Sequence, residues 1–407
     1  MTTTDTAGRQ GEKQRVGWFE LFYDLVLVAT INRAAQVFGD SPTWSTGSLI
    51  AGGLAVILVL WLATTVNLGS FAQRSGIRQV LVVVQMVAIV IAALATGQSD
   101  GLPTVTGFIA LALAFGSITL LFAVSRSEAG RAGNGVRRDV GSAVLAATMA
   151  TAVFGVGAWL AVLQPPHVAL WEALCIVAGV VILAWPLLGR TLAGLLASGR
   201  LGPEHLQERM GQLVLIVLGE SLIYLVKNLS GLPQIPHLPL LVLIIVVVFA
   251  VWRIYFTTIF PAGLPAQASV IRSWMLVHLL LIFGAVSMAA ALSSVAVVGF
   301  ADPLPANADT WTVLPMLYVI GAILLLAIAQ RHRFGADEAG LRIGRRIVTV
   351  HAVTFALIFV LWPVGSIGPL TDSRWPLALA GVFLIGDALV SWAILRSYPG
   401  VPTQPSL

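Results

Sequence analysis

Runs of about 20 apolar residues recur along the whole chain, and a helix of that length is what the hydrocarbon core of a bilayer requires. Twelve such runs are legible, near residues 17–38, 47–66, 78–97, 103–124, 138–163, 168–190, 207–227, 238–258, 270–298, 311–330, 346–366 and 376–396. Only 10% of the 407 residues are charged and 58% are hydrophobic, whereas soluble domains carry about 25% charged residues. No soluble fold covers that much apolar surface with so few charges. Backbone groups inside lipid must be satisfied within their own segment, which makes these runs helices, and the short alternating segments of a membrane barrel are absent. The expected fold class is therefore an all-α polytopic membrane protein of about twelve transmembrane helices. Residues 1–15 read as a polar, flexible cytoplasmic N-terminus without a cleavable signal. The one cysteine, Cys175, rules out an internal disulfide and reads as a packing residue.

Basic residues are distributed one-sidedly. Arg9, Lys13 and Arg15 precede the first span, and on the same side fall Arg74 and Arg78, then Arg126, Arg131, Arg137 and Arg138, then Arg190, Arg200 and Arg209. Arg272, the group from Arg331 to Arg346, and Arg396 continue the series, while the opposite loops hold only Lys227 and Arg374 with several aspartates. Loops rich in Lys and Arg stay in the cytoplasm. This predicts a multi-pass protein of the inner (cytoplasmic) membrane with both termini cytoplasmic and an even number of spans.

The two halves resemble each other. The segment from Glu20 through Asp24 to Val28 aligns with Glu208 through Gln212 to Ile216, and Ala72-Gln73 to Arg78 aligns with Ala266-Gln267 to Arg272. Six spans per half is even, so both halves insert in one orientation, as parallel repeats related by an axis along the membrane normal. The expected division is a first six-helix repeat over 16–190, a linker over 191–206, a second repeat over 207–396 and a cytoplasmic tail over 397–407.

Charges inside a membrane are costly, so each one needs a reason. Glu20 and Asp24 lie one helical turn apart on one face of the first span. Glu220, in Leu218-Gly219-Glu220-Ser221, stands about 18 Å into the seventh span, near the midplane. Asp387 has a similar depth in the last span. Arg253 and His278 lie towards the cytoplasmic side of the eighth and ninth. Each admits a structural reading, as half of a buried ion pair or as a satisfied core histidine, beside a functional one. His351 favours the structural reading, and Arg209, at a helix start, fits the positive-inside pattern. The functional expectation is that Asp24, Glu220 and His278 converge on one polar cavity with Arg253 close by, the substrate- or proton-binding residues being Glu20, Asp24, Glu220, Arg253 and His278. No nucleotide-binding loop or dinucleotide fingerprint is present. His205-x-x-Glu208 has metal-like spacing without a third ligand in the sequence. No cofactor and no metal are expected. The basic loops lack the aromatic interleaving of a nucleic-acid surface. The expected partners are the lipid bilayer and an unidentified small molecule or lipid, with oligomerisation left open.

The motif Trp18-Phe19-Glu20-Leu21-Phe22-Tyr23-Asp24-Leu25-Val26 resembles the opening signature of the bacterial low temperature requirement protein A (LtrA) family. His205-Leu206-Gln207-Glu208-Arg209, Gly211 and Leu218-Gly219-Glu220-Ser221 are similar to its second signature, and Tyr255-Phe256 and His278 to later positions. The resemblance runs from about residue 15 to about 395. The family pattern continues Tyr-Phe with an aspartate where this chain has Thr257, and has an aromatic where Arg253 stands. The resemblance names a cold-growth phenotype and implies no molecular activity. Two functions fit the residues. One is a proton-linked transporter or permeation protein with a midplane carboxylate site. The other is an intramembrane enzyme using buried carboxylates as general acids on a lipid or isoprenoid, although no diphosphate-binding aspartate cluster is present. A structural or sensory role is the third reading.

Overall fold

The computed structural model describes residues 17–40, 43–71, 75–95, 104–131, 133–163, 167–179, 187–229, 238–264, 268–298, 308–332, 334, 337–365 and 375–397. Every regular element among them is helical. In chain order they are α1 (Trp18–Asp40), α2 (Trp44–Ser70), α3 (Gly76–Leu94), α4 (Val105–Arg131), α5 (Asn134–Leu163), α6 (Val168–Cys175), α7 (Leu192–Ala197), α8 (Pro203–Leu229), α9 (Leu238–Ile254), α10 (Ala268–Val298), α11 (Ala308–Gln330), α12 (Glu338–Gly365) and α13 (Trp375–Arg396). Among the described residues, 11 helices are long and apolar enough to cross a membrane. The sixth expected span, 168–190, is described only in part. It begins with α6 and ends in a π-helical segment, Leu187–Thr191, while residues 180–186 lie outside the described residues. The stretch expected as a linker, 191–206, contains α7 and the first turn of α8.

Local chemistry sets the helix ends. The Thr43 hydroxyl accepts from the Thr46 amide at 3.1 Å and caps α2. The Glu20 carboxylate accepts from the Gly17 amide at 3.1 Å across the first turn of α1. Between α4 and α5, Gly133 adopts φ 127°, which only glycine takes without strain, and lets the chain double back at once.

Burial runs opposite to that of a soluble protein. On α3, Val80, Val84, Val87 and Ile91 recur at helical spacing and are all exposed, while Arg78 and Gln85 are fully buried. Such an outward apolar stripe is at home against lipid tails and not against water. The most apolar windows of α2 and α10 are each 72% buried, against 22% for α12 and 39% for α3, α5 and α13. Helices α2 and α10, with α11 at 67%, therefore form the centre of the bundle, and the least buried, α3, α5, α12 and α13, lie at its rim. Successive helices pair along the chain, α3 with α4, α4 with α5, α10 with α11, α11 with α12 and α12 with α13, while α1 joins the halves by packing on α2, α3, α8 and α10.

Candidate functional site

The buried face of α1 carries Glu20, Tyr23, Asp24, Leu27, Ile31 and Ala35. Against it α8 places His205 and Arg209, which have the same four-residue spacing as Glu20 and Asp24. His205 Nε2 stands 3.4 Å from Glu20 Oε1. One turn further on, Arg209 grips Asp24 with both terminal nitrogens, Nη1 to Oδ2 at 2.6 Å and Nη2 to Oδ1 at 2.8 Å. Further still, the Asn32 amide donates to Glu220 Oε1. The partners advance together along both helices, so α1 and α8 run side by side in the same direction.

The middle rung is fully enclosed, with Asp24 and Arg209 each 0% exposed. Trp61 of α2 closes it twice. Its indole Nε1 donates to Asp24 Oδ1 at 2.7 Å, and its ring lies 5.7 Å from the Arg209 guanidinium carbon. Asp24 thus accepts three short hydrogen bonds, two of them from a cation, which is the geometry that lets an ion pair survive away from water. The third rung is different in kind. Glu220 faces an amide and forms no ion pair within 4.0 Å among the described residues; Lys227, two turns further along α8, acts on it only through space. Gln36 donates to Asn32 Oδ1 at 2.5 Å, extending this chain of side chains by another turn of α1.

The other expected residues lie apart from this seam. His278 Nδ1 is 2.8 Å from the Trp274 carbonyl and must donate to it, so a neutral ring accepts at Nε2 from the Tyr255 hydroxyl, 3.0 Å away. Tyr255 belongs to a π-helical turn, Tyr255–Ile259, that continues α9 and turns both Tyr255 and Thr258 inward. The Arg253 guanidinium lies 5.2 Å from the Trp392 ring of α13. No hydrogen bond or ion pair among the described residues joins His278 or Arg253 to Glu220 or Asp24. The direct contacts of Asp24 and Glu220 thus lie along the α1–α8 seam, whereas those of His278 are with Trp274 and Tyr255 and that of Arg253 is with Trp392.

Three features had weak signals in the sequence. Arg209, attributed there to topology, is the partner of Asp24, and its matching four-residue spacing from His205 was the available clue. His205 faces Glu20, while Glu208, its supposed co-ligand, is exposed. The third joins α12 to α13: His351 Nδ1 lies 2.9 Å from both oxygens of Asp387, which also accepts from Ser391 at 3.1 Å. His351 Nε2 is 3.5 Å from the Thr258 hydroxyl.

Apolar side chains outside, charges paired inside and 11 spanning-length helices define a multi-pass helical membrane protein. Its opening Glu20–Asp24 motif and its His205–Glu220 motif are the two strands of one polar seam. The chain belongs to the bacterial low temperature requirement A protein (LtrA) family, whose sequence model matches residues 15–386. No curated protein and no solved structure matches it.

Proposed function

We propose that this LtrA-family protein is a proton-linked transporter or permeation protein of the cytoplasmic membrane, with both termini in the cytoplasm and its working site along the α1–α8 seam. The observation that carries the reading is the third rung: Glu220, buried within the spanning helix α8, has an amide as its hydrogen-bond partner and not a cation. A structural carboxylate in lipid is expected to be neutralised by a base, as Asp24 is by Arg209. Glu220 can gain or lose a proton without breaking an ion pair, and the Asn32 amide can serve either form. Glu20, Asp24, His205 and Arg209 hold the arginine-rich end of the seam shut, while Glu220 exchanges protons with a solute path.

The reading includes two parallel six-helix repeats, α1–α6 and α8–α13. Like packing in the two halves supports it: α1 on α3 and α8 on α10, α2 on α6 and α9 on α13, α3 on α4 and α10 on α11. Each half also has a polar bridge between its second and third helices, Thr64 to Gln85 at 2.9 Å and Tyr255 to His278 at 3.0 Å. The first helices of both repeats then meet at the seam, where transporters of duplicated build place their sites.

Reconstitution of the purified chain in liposomes holding a pH-sensitive dye, with solutes screened under an imposed gradient, tests the proposal. Glu220→Gln keeps shape and hydrogen bonding and removes titration, so it is expected to fold normally and to abolish proton-coupled flux. Full complementation of a deletion strain by Glu220→Gln, with unchanged pH dependence, overturns it. The buried Asp387–His351–Thr258 series favours a second reading, an intramembrane enzyme acting on a lipid or isoprenoid, since a carboxylate-oriented imidazole is a general-base arrangement. Accumulation of a lipid precursor in the deletion strain supports that alternative.

A further inference from the structure

Away from the seam, on the rim, α4 and α5 run antiparallel from the Gly133 turn, and two cavities lie end to end along the groove between them. The larger, about 590 Å³, has almost wholly apolar walls, among them Val84 of α3, Leu113, Gly116 and Leu120 of α4, and Thr151 and Gly155 of α5. Glycine and threonine there leave a trough where bulkier residues would close the surface. On α4 it extends from Ile109 to Leu120, about 16 Å of helix rise. The smaller, about 430 Å³, is formed by Arg126, Arg137, Arg138, Asn134, Gly141 and Ser142. Leu120 and Arg126 are only six positions apart on α4, about 9 Å, and Leu145 and Thr148 three positions apart on α5, about 4.5 Å.

The three arginines are exposed, and none has a hydrogen bond or ion pair within the described residues. The nearby acids are turned elsewhere. Glu128 pairs with Arg78 at 2.8 Å, and Asp139 Oδ2 lies 2.6 Å from the position of a Cβ on Gly194 of α7. Arg126 reaches across the groove to α5, its guanidinium lying 3.6–3.7 Å from where a Cβ on Gly141 would stand. Membrane topology requires basic residues in this loop, but it does not require guanidiniums on both helices to converge on one pocket continuous with an apolar trough. Guanidinium forks fit phosphate oxygens, and basic pockets between helices at a membrane surface take anionic headgroups.

We propose that the α4–α5 groove binds one anionic phospholipid from the leaflet on the arginine-rich side, its phosphodiester among Arg126, Arg137 and Arg138 and an acyl chain along the trough. The site is independent of the α1–α8 seam and of the transport reading. Native mass spectrometry of the detergent-purified full chain tests it, with equimolar phosphatidylglycerol and phosphatidylcholine of the same acyl chains. The wild type is expected to retain phosphatidylglycerol selectively. The double variant Arg126→Gln/Arg138→Gln, which leaves Arg131 and Arg137 to keep the loop basic, is expected to lose about fivefold in phosphatidylglycerol retention per arginine. Gly155→Leu projects into open space, with no atom within 4 Å of its Cβ, and is expected to weaken lipid retention by filling the trough while the arginines stay. Equal retention of the two lipids by the wild type, or undiminished selectivity in the double variant, overturns the proposal. So does competition by inorganic phosphate together with unchanged lipid retention in Gly155→Leu, which assigns the pocket to a soluble anion.

Discussion

Replacing Arg209 with methionine removes the base from the enclosed middle rung while keeping most of its volume. Asp24 then loses two charge-assisted hydrogen bonds, of 2.6 and 2.8 Å, each contributing about 1.5–3 kcal/mol. It retains one donor, the Trp61 indole. Because both partners are 0% exposed, water cannot take over the vacated positions, and the loss is expected to reach the range of about 3–5 kcal/mol found when one member of a buried pair is deleted. An ordinary interhelical hydrogen bond in a membrane averages only about 0.6 kcal/mol and reaches about 1.7, so the two cases are well separated. The assay is reversible unfolding of the purified chain in mixed micelles, run as a double-mutant cycle with Asp24→Asn. The double variant Asp24→Asn/Arg209→Met keeps the Trp61 hydrogen bond and has no buried charge in that pair, so it is expected to recover most of the stability lost by Arg209→Met alone. A cost below about 1 kcal/mol for Arg209→Met, the level of an exposed pair, or simple additivity of the two substitutions, would refute the reasoning.

Gly69 of α2 admits the His205 ring: a Cβ there would stand 2.7 Å from its Cδ2 and 2.9 Å from its Nε2. Leu201 Cδ1 would also stand 2.9 Å away, so Gly69→Ala is expected to push His205 off Glu20 and to cost about 1–3 kcal/mol of unfolding free energy, with His205→Ala relieving part of the strain in the same background; no relief would contradict the packing. Asp387→Ala leaves His351 and Ser391 without their shared acceptor in a buried site and is expected to cost about 1–3 kcal/mol per unmet group, read in the same unfolding assay, whereas a neutral effect would mean the pair is not closed to water. Reporter fusions after Asp139, Arg200 and Arg345 are expected to report cytoplasm and fusions near Asp100, Pro236 and Asp309 the outside; a strong reversal at Asp309 would break the twelve-span reading of the partly described sixth span.

The membrane class, the family and the approximate ends of most helices were determined by the sequence alone, because each depends on local quantities. An apolar run of spanning length, such as 311–330 for α11, forms a helix whatever surrounds it, since lipid offers the backbone no other partner. The Glu20–Asp24 face was legible for the same reason: four-residue spacing on a helix fixes which residues share a side. Partner choice was a different matter. In a lipid-facing bundle apolar residues cover the inside and the outside alike, so periodicity does not say how a helix is rotated; the exposed stripe of α3 is as apolar as the buried core of α2. Only the lateral placement of α8 against α1 brings Arg209 to Asp24 across 185 positions of sequence, sends His278 to Tyr255 and Arg253 to Trp392, and leaves Glu220 with an amide. Those pairings follow from which helices touch and how each is turned about its axis, quantities fixed by the packing of the whole bundle and by no single segment of it.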